Sequence, residues 1–196
     1  MGRKDKYALI HYKLMDLSDY IEAGNKARRS IDLNHIEKIG RDIVNVFNSG
    51  GKLIVFGNGG SAADSQHFVA ELSGHFSKER KALPAMALTV NTSALTAISN
   101  DYSYDVVFSR QLEAFAKPGD YVVGISTSGN SVNVVKGLER AKELGCKTLA
   151  MTGRSGGKIA KVAEEAIMID SEVTSIIQEA HIAAIHMICS VIDSYY

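Results

Sequence analysis

Residues 52–56, Lys-Leu-Ile-Val-Phe, form an apolar run that closes on Gly57-Asn58-Gly59-Gly60-Ser61 and passes without a break into a helical pattern. A β-rich run, a glycine turn and an amphipathic stretch in that order predict strand, turn and helix. Ser61 suits the N-cap, and Asp64 three residues on suits a capping box. The first N–H groups of such a helix point into the turn with partial positive charge, and Gly59 and Gly60 let a ligand approach the backbone, so the turn reads as a phosphate seat. Four residues apart on the helix, His67 and Glu71 share a face, with Asp64 one turn before; Val69, Leu72 and Phe76 lie toward another. A His/Glu pair at this spacing is usually a solvated face, and the adjoining turn is what argues for chemistry here. The glycine pattern also fits the loose dinucleotide fingerprint, which wants an acid at the end of the next strand. The run over residues 85–90 leads instead into Asn91-Thr92-Ser93, which argues against it.

The remainder alternates strand and helix patterns. Two helices lead, over about residues 7–29 (Leu9, Leu14, Leu17, Tyr20, Ile21) and 33–47, the second stopping at Asn48-Ser49-Gly50-Gly51. They suit packing against another copy of the chain or against their own sheet equally well. Strand 85–90 is followed by a short helix over 93–98, a loop at Asn100-Asp101 and a helix over 104–116. Then come strand 121–125, helix 132–144, strand 148–151, a helix to about 165, strand 166–169 and a last helix over 175–194. This predicts one α/β domain over 1–196, a three-layer sandwich around a mostly parallel five-stranded sheet, with leading helices over about 1–50 and the core over 51–196.

Lys plus Arg and Asp plus Glu both number 22, so no net charge advertises nucleic acid or an anionic membrane as a partner. Cys146 and Cys189 are too few and too far apart for a disulfide framework or a thiolate zinc site, and read as reduced thiols. The basic first residues are followed by no apolar signal core, and the apolar stretch 182–192 is too short to span a bilayer. A cytoplasmic protein is expected.

The run over 121–125 opens into a second turn, Ser126-Thr127-Ser128-Gly129-Asn130-Ser131. Its four hydroxyls, with no cation among them, suit a phosphate monoester on a polyhydroxy compound, although serine-rich turns are often only turns. The last helix carries Gln178, Glu179, His181 and His186 among isoleucines and valines. Polar groups there need partners or a ligand. His181 reads as structural, and His186 reads as structural or as a ligand with equal ease. Gln178 and His186 are separated by about 12 Å of helix rise, so one centre served by both needs bent side chains or an irregular first turn.

Gly-Asn-Gly-Gly-Ser-Ala-Ala-Asp, Gln-His-Phe-Val-Ala-Glu-Leu-Ser-Gly, Ser-Asn-Asp-Tyr, Gly-Ile-Ser-Thr-Ser-Gly-Asn-Ser, Thr-Gly-x-x-Gly-Gly and Gln-Glu-Ala-His-Ile, in this order, resemble the phosphoheptose isomerases of the sugar isomerase (SIS) domain fold. The resemblance covers nearly the whole chain from about Leu33. It implies interconversion of sedoheptulose 7-phosphate and D-glycero-D-manno-heptose 7-phosphate in a homotetramer with sites between subunits, and one zinc ion per subunit. It implies His67, Glu71, Gln178 and His186 as zinc ligands, and Glu71 and His186 as the acid/base pair. Asn58, Gly59, Gly60, Ser61, Glu71, Asn100, Asp101, Ser126, Thr127, Ser128, Ser131 and Gln178 would meet the sugar phosphate. Many members have Arg or Lys where this chain has Ile176, which leaves another sugar phosphate open as substrate. The kinship also reaches non-catalytic SIS proteins, a sugar-phosphate sensor or a binder of the replication initiator, and these stand as the alternative.

Overall fold

Aspartate caps open the first two helices of the described residues. The Asp16 carboxylate accepts from the Ser18 N–H at 2.9 Å at the start of α1 (Leu17–Arg29). The Asp32 carboxylate accepts from the Asn34 and His35 N–H groups at the start of α2 (Leu33–Asn48). The structure, a computed structural model, describes residues 15–196, so the earlier part of the expected leading helix, with Leu9 and Leu14, lies outside the described residues. Ile36, Ile39, Ile43 and Val44 put a buried stripe on α2.

Five strands follow: β1 (Leu53–Gly57), β2 (Ala85–Ala87), β3 (Tyr121–Ile125), β4 (Lys147–Gly153) and β5 (Glu165–Ile169). All pairings are parallel, in the order β2-β1-β3-β4-β5. Strand side chains alternate between two cores. Leu53, Val55, Val123 and Ile125 join one side, with α2, α3 (Gly60–Ser73) and α8 (Thr174–Asp193). Ile54, Phe56 and Val122 join the other, with α5 (Val107–Phe115) and α6 (Val132–Glu143). The expected three-layer α/β sandwich is therefore present, with its sheet wholly parallel.

Several boundaries differ from expectation for local reasons. Strand β2 stops at Ala87, three residues short. Asn91 then caps α4 (Thr92–Asp101), which absorbs Asn100 and Asp101 rather than leaving them in a loop. Thr96 and Ser99 hydroxyls bond back to the Thr92 and Leu95 carbonyls, so residues with turn chemistry are accommodated inside a helix. The helix expected over 104–116 is a 3-10 turn, Tyr104–Val106, running into α5. Between β4 and β5 only α7 (Ile159–Val162) is helical, because the Glu164 N–H donates to the Thr148 hydroxyl and Glu165 opens β5.

The last helix α8 has 20 residues, long and apolar enough to cross a membrane where residues 182–192 alone are not. Half of its most apolar window is buried, and it packs against α1, α2, α3 and β4. At the amino edge of the sheet, Asp120 accepts from the Lys52 N–H (3.0 Å), Lys52 Nζ (2.5 Å) and the Lys117 N–H (2.8 Å), which ties the starts of β1 and β3 together.

Candidate active site

Strand order 2-1-3-4-5 reverses direction between β1 and β3, and the crevice outside the carboxyl ends of those two strands is where open α/β sheets take ligands. The glycine turn and the serine turn leave the sheet there, side by side.

At the glycine turn the helix starts earlier than expected. Gly59, at φ 57° and ψ −121°, is the N-cap, a backbone position that L-residues rarely adopt, and no side chain caps α3. Ser61 therefore sits inside the first turn, 3 % exposed, and forms no capping box with Asp64. The N–H groups of Ser61 and Ala62 turn back to the Asn58 and Gly59 carbonyls at 3.0 and 3.1 Å, whereas those of Gly59 and Gly60 bond to no carbonyl among the described residues. Gly60 has a second constraint: a Cβ there would lie 2.3 Å from the Gln178 amide nitrogen, so the Gln178 carboxamide rests directly on the glycine.

Asn58 is held in place. Its carboxamide exchanges hydrogen bonds with buried Asn133 at 2.8 and 2.9 Å, and its oxygen also accepts from the Tyr104 hydroxyl at 2.9 Å. Asn133 and Tyr104 went unnoticed in the sequence, since a polar residue in a first helical turn and an isolated tyrosine carry no signal of their own. Asn100 and Asp101, joined at 2.9 Å, end α4 and are exposed, four and three residues before Tyr104.

In the serine turn, Ser131 is the N-cap of α6 yet makes no capping bond. Its hydroxyl meets that of Ser126 at 3.0 Å, and Ser126 meets Ser128 at 3.4 Å, so three hydroxyls converge beside an uncapped helix start. Thr127 is fastened through its carbonyl to the Gly153 N–H at 3.0 Å. Arg154 lines the hollow beside Thr127 and Ser128, but its guanidinium is engaged by Asp170 at 2.6 Å and Glu172 at 3.9 Å.

The third component is a cluster between α3 and α8. His67 Nε2 lies 2.9 Å from Glu71 Oε1 and 3.1 Å from His186 Nε2. One ligand atom from each of the three lies within 4.8 Å of the other two. Two imidazole nitrogens facing each other beside a carboxylate form a donor set that fits a divalent cation such as zinc. Phe76 stacks on the His186 ring with centroids 5.6 Å apart, which orients it. Asp64, one turn before His67, is half buried with Oδ2 unpartnered among the described residues; burial pushes its carboxyl up to about 6, with His67 acting in the opposite direction.

Not every expected residue joins this cluster. Gln178 lies at Gly60, seven residues before His67, so its seat is about 10 Å along α3 toward the glycine turn. Ile176 is buried in the core, where its side chain fills space rather than facing a ligand. The other polar groups of α8 have structural partners: Glu179 accepts from the Tyr20 hydroxyl at 2.6 Å, and His181 donates to the Thr152 carbonyl at 3.2 Å.

Residues 19–153 match the SIS domain family. The chain is 63 % identical over 182 residues to a "Probable phosphoheptose isomerase" of Thermoplasma acidophilum, covering 93 % of this chain and all of that one. Among solved structures, the phosphoheptose isomerase of Neisseria gonorrhoeae superposes with a TM-score of 0.82 at 42 % identity, over 90 % of this chain and 94 % of the other. That of Francisella tularensis superposes at 0.85 and 33 % identity over the same shares.

Proposed function

The chain belongs to the phosphoheptose isomerases of the SIS domain family, sugar phosphate aldose–ketose isomerases, and from that membership we propose that it interconverts sedoheptulose 7-phosphate and D-glycero-D-manno-heptose 7-phosphate. The observation that carries this reading is the meeting of Glu71 with His67 and His186 between α3 and α8, on the helix that opens from the glycine turn.

Aldose–ketose isomerisation moves a proton between two adjacent carbons and another between their oxygens. In this account Glu71 is the base. With Oε1 held by His67, its carboxylate takes the proton from the carbon beside the carbonyl and returns it to the neighbouring carbon of the enediolate. His186, braced by Phe76, serves the sugar oxygens as the acid/base partner. The Gly59 and Gly60 amides and the Ser126, Thr127, Ser128 and Ser131 hydroxyls and helix start hold the phosphate, while Asn58, Asn100 and Asp101 line the sugar's path. His67, Glu71 and His186 would hold zinc, which when bound supplies Lewis-acid polarisation of the carbonyl. Gln178 is available to a sugar hydroxyl or to the fourth metal position, and its seat on Gly60 favours the sugar.

The exposed Leu17, Ile21 and Leu33 on α1 and α2 offer apolar surface to further copies in a homotetramer. Two buried free thiols suit a reducing cytoplasm.

The test is to incubate the purified, zinc-supplemented protein with sedoheptulose 7-phosphate and follow the aldose product by NMR. Glu71→Gln should keep the fold and lose about 10²–10⁴-fold in kcat. Absence of conversion by the wild type, or a fully active Glu71→Gln variant, contradicts the assignment.

A further inference from the structure

Helix α3 ends at Ser73, directly after the turn that carries Glu71, and its last carbonyls point away from any continuing helix. One guanidinium collects them. Arg80 Nη2 donates to the Glu71 carbonyl at 2.8 Å, and Nη1 donates to the Leu72 and Gly74 carbonyls at 2.9 and 3.2 Å. Its Nε donates to Asp193 Oδ1 at 2.8 Å, and Asp193 is the last residue of α8. The other Asp193 oxygen accepts from the Ser77 N–H and hydroxyl at 3.0 and 3.1 Å. Both charged side chains are nearly sealed from solvent, at 1 % and 4 % exposure.

An ion pair buried this deeply is weak evidence of stabilisation, because desolvation offsets much of the attraction. Its geometry is more informative than its energy. The clamp grips the backbone of Glu71 itself and fastens that turn of α3 to the end of α8, two turns beyond His186. His67 and Glu71 come from one of these helices and His186 from the other, so their separation depends on how far the two helices can slide or splay at this end. A lysine cannot replace the fork, since it is a point charge and cannot span three carbonyls and a carboxylate at once.

Resting on the isomerase reading above, we infer that Arg80 and Asp193 are positioning residues, which set the spacing of Glu71 and His186 through the backbone of α3 and the end of α8. The phosphate turns lie at the opposite end of α3 and are fastened by other bonds, those of Asn58 to Asn133 and of Thr127 to Gly153. Loss of the clamp should therefore act on metal affinity and kcat while leaving KM for the sugar phosphate nearly unchanged.

The experiment titrates cobalt(II) into the metal-free full-length protein, follows its visible absorption, and sets the affinities beside kcat and KM. Arg80→Lys should weaken cobalt binding and lower kcat by about 10–100-fold, the range for residues that orient metal ligands, with KM within about twofold. Should Arg80→Lys not fold, the paired replacement Arg80→Met with Asp193→Leu removes the charges together and keeps the site apolar; it should show the same two losses. Lys52→Met, which breaks the ion pair at the far edge of the sheet, serves as the control and should lower stability while leaving cobalt affinity and kcat alone. Clamp variants that lose stability yet keep wild-type cobalt affinity and kcat overturn the inference. A wild type that neither binds cobalt nor turns over sugar phosphate brings down the isomerase reading itself, and the clamp's role with it.

Discussion

His181 is fully buried on α8, with Nε2–H donating to the Thr152 carbonyl and Nδ1 without a partner among the described residues. Burial, opposed only partly by that hydrogen bond, brings its pKa down from 6.5 to about 4. The unfolded chain takes up a proton near pH 6.5 that the folded chain refuses until about pH 4. Stability from this residue is thus complete above pH 6.5 and falls by about 3 kcal/mol as the pH drops to 4. Urea titrations at pH 7, 5.5 and 4.5 should reveal that slope, and His181→Gln should flatten it; an unchanged slope would assign the acid sensitivity to other groups. The sequence already pointed to a structural role for His181, because a lone imidazole among isoleucines needs only one partner. It left His186 undecided, and the 3.1 Å approach of His67, from a helix 119 residues earlier, supports the ligand reading. Ser61 was misread as a cap for a related reason: serine before a helical run fits an N-cap, but the positive φ of Gly59 starts the helix sooner.

Helix α3 is where local sequence and tertiary structure agree most closely. Its strand-turn-helix context and its His67/Glu71 face were legible because each depends on spacings of a few residues. What spacing could not reveal is the neighbour at its first turn, Gln178 from α8. Gly60→Ala tests that contact. The new methyl group meets only the end of a flexible side chain, so stability should change by no more than about 1 kcal/mol. Gln178 must leave its seat, however, and KM for the sugar phosphate should rise several-fold. A KM equal to wild type in a variant of unchanged melting temperature would remove Gln178 from the substrate's surroundings. Boundaries elsewhere were harder to read where side-chain hydroxyls bond back into a helix, as in α4, or where a strand begins early, as after α7.

At the scale of the molecule, alternation of strand and helix was enough to predict a parallel α/β sandwich, whereas strand order was not, since it depends on pairings between distant segments. Order is what makes the site. With β1 and β3 adjacent and their connections leaving in opposite directions, the glycine and serine turns become two walls of one crevice. Helix α8, packed across α1, α2 and α3, then carries His186 to the face that already bears His67 and Glu71. Two helices far apart in sequence thereby bring together the three side chains proposed for proton transfer. Solvent-deuterium exchange tests this most directly, by incubating sedoheptulose 7-phosphate in D₂O with the zinc-supplemented wild type and with Glu71→Gln and reading the carbon next to the carbonyl by NMR. The account predicts deuterium at that carbon with the wild type and almost none with Glu71→Gln. Equal incorporation by both proteins, or conversion without any incorporation, would contradict Glu71 as the base that exchanges its proton with solvent.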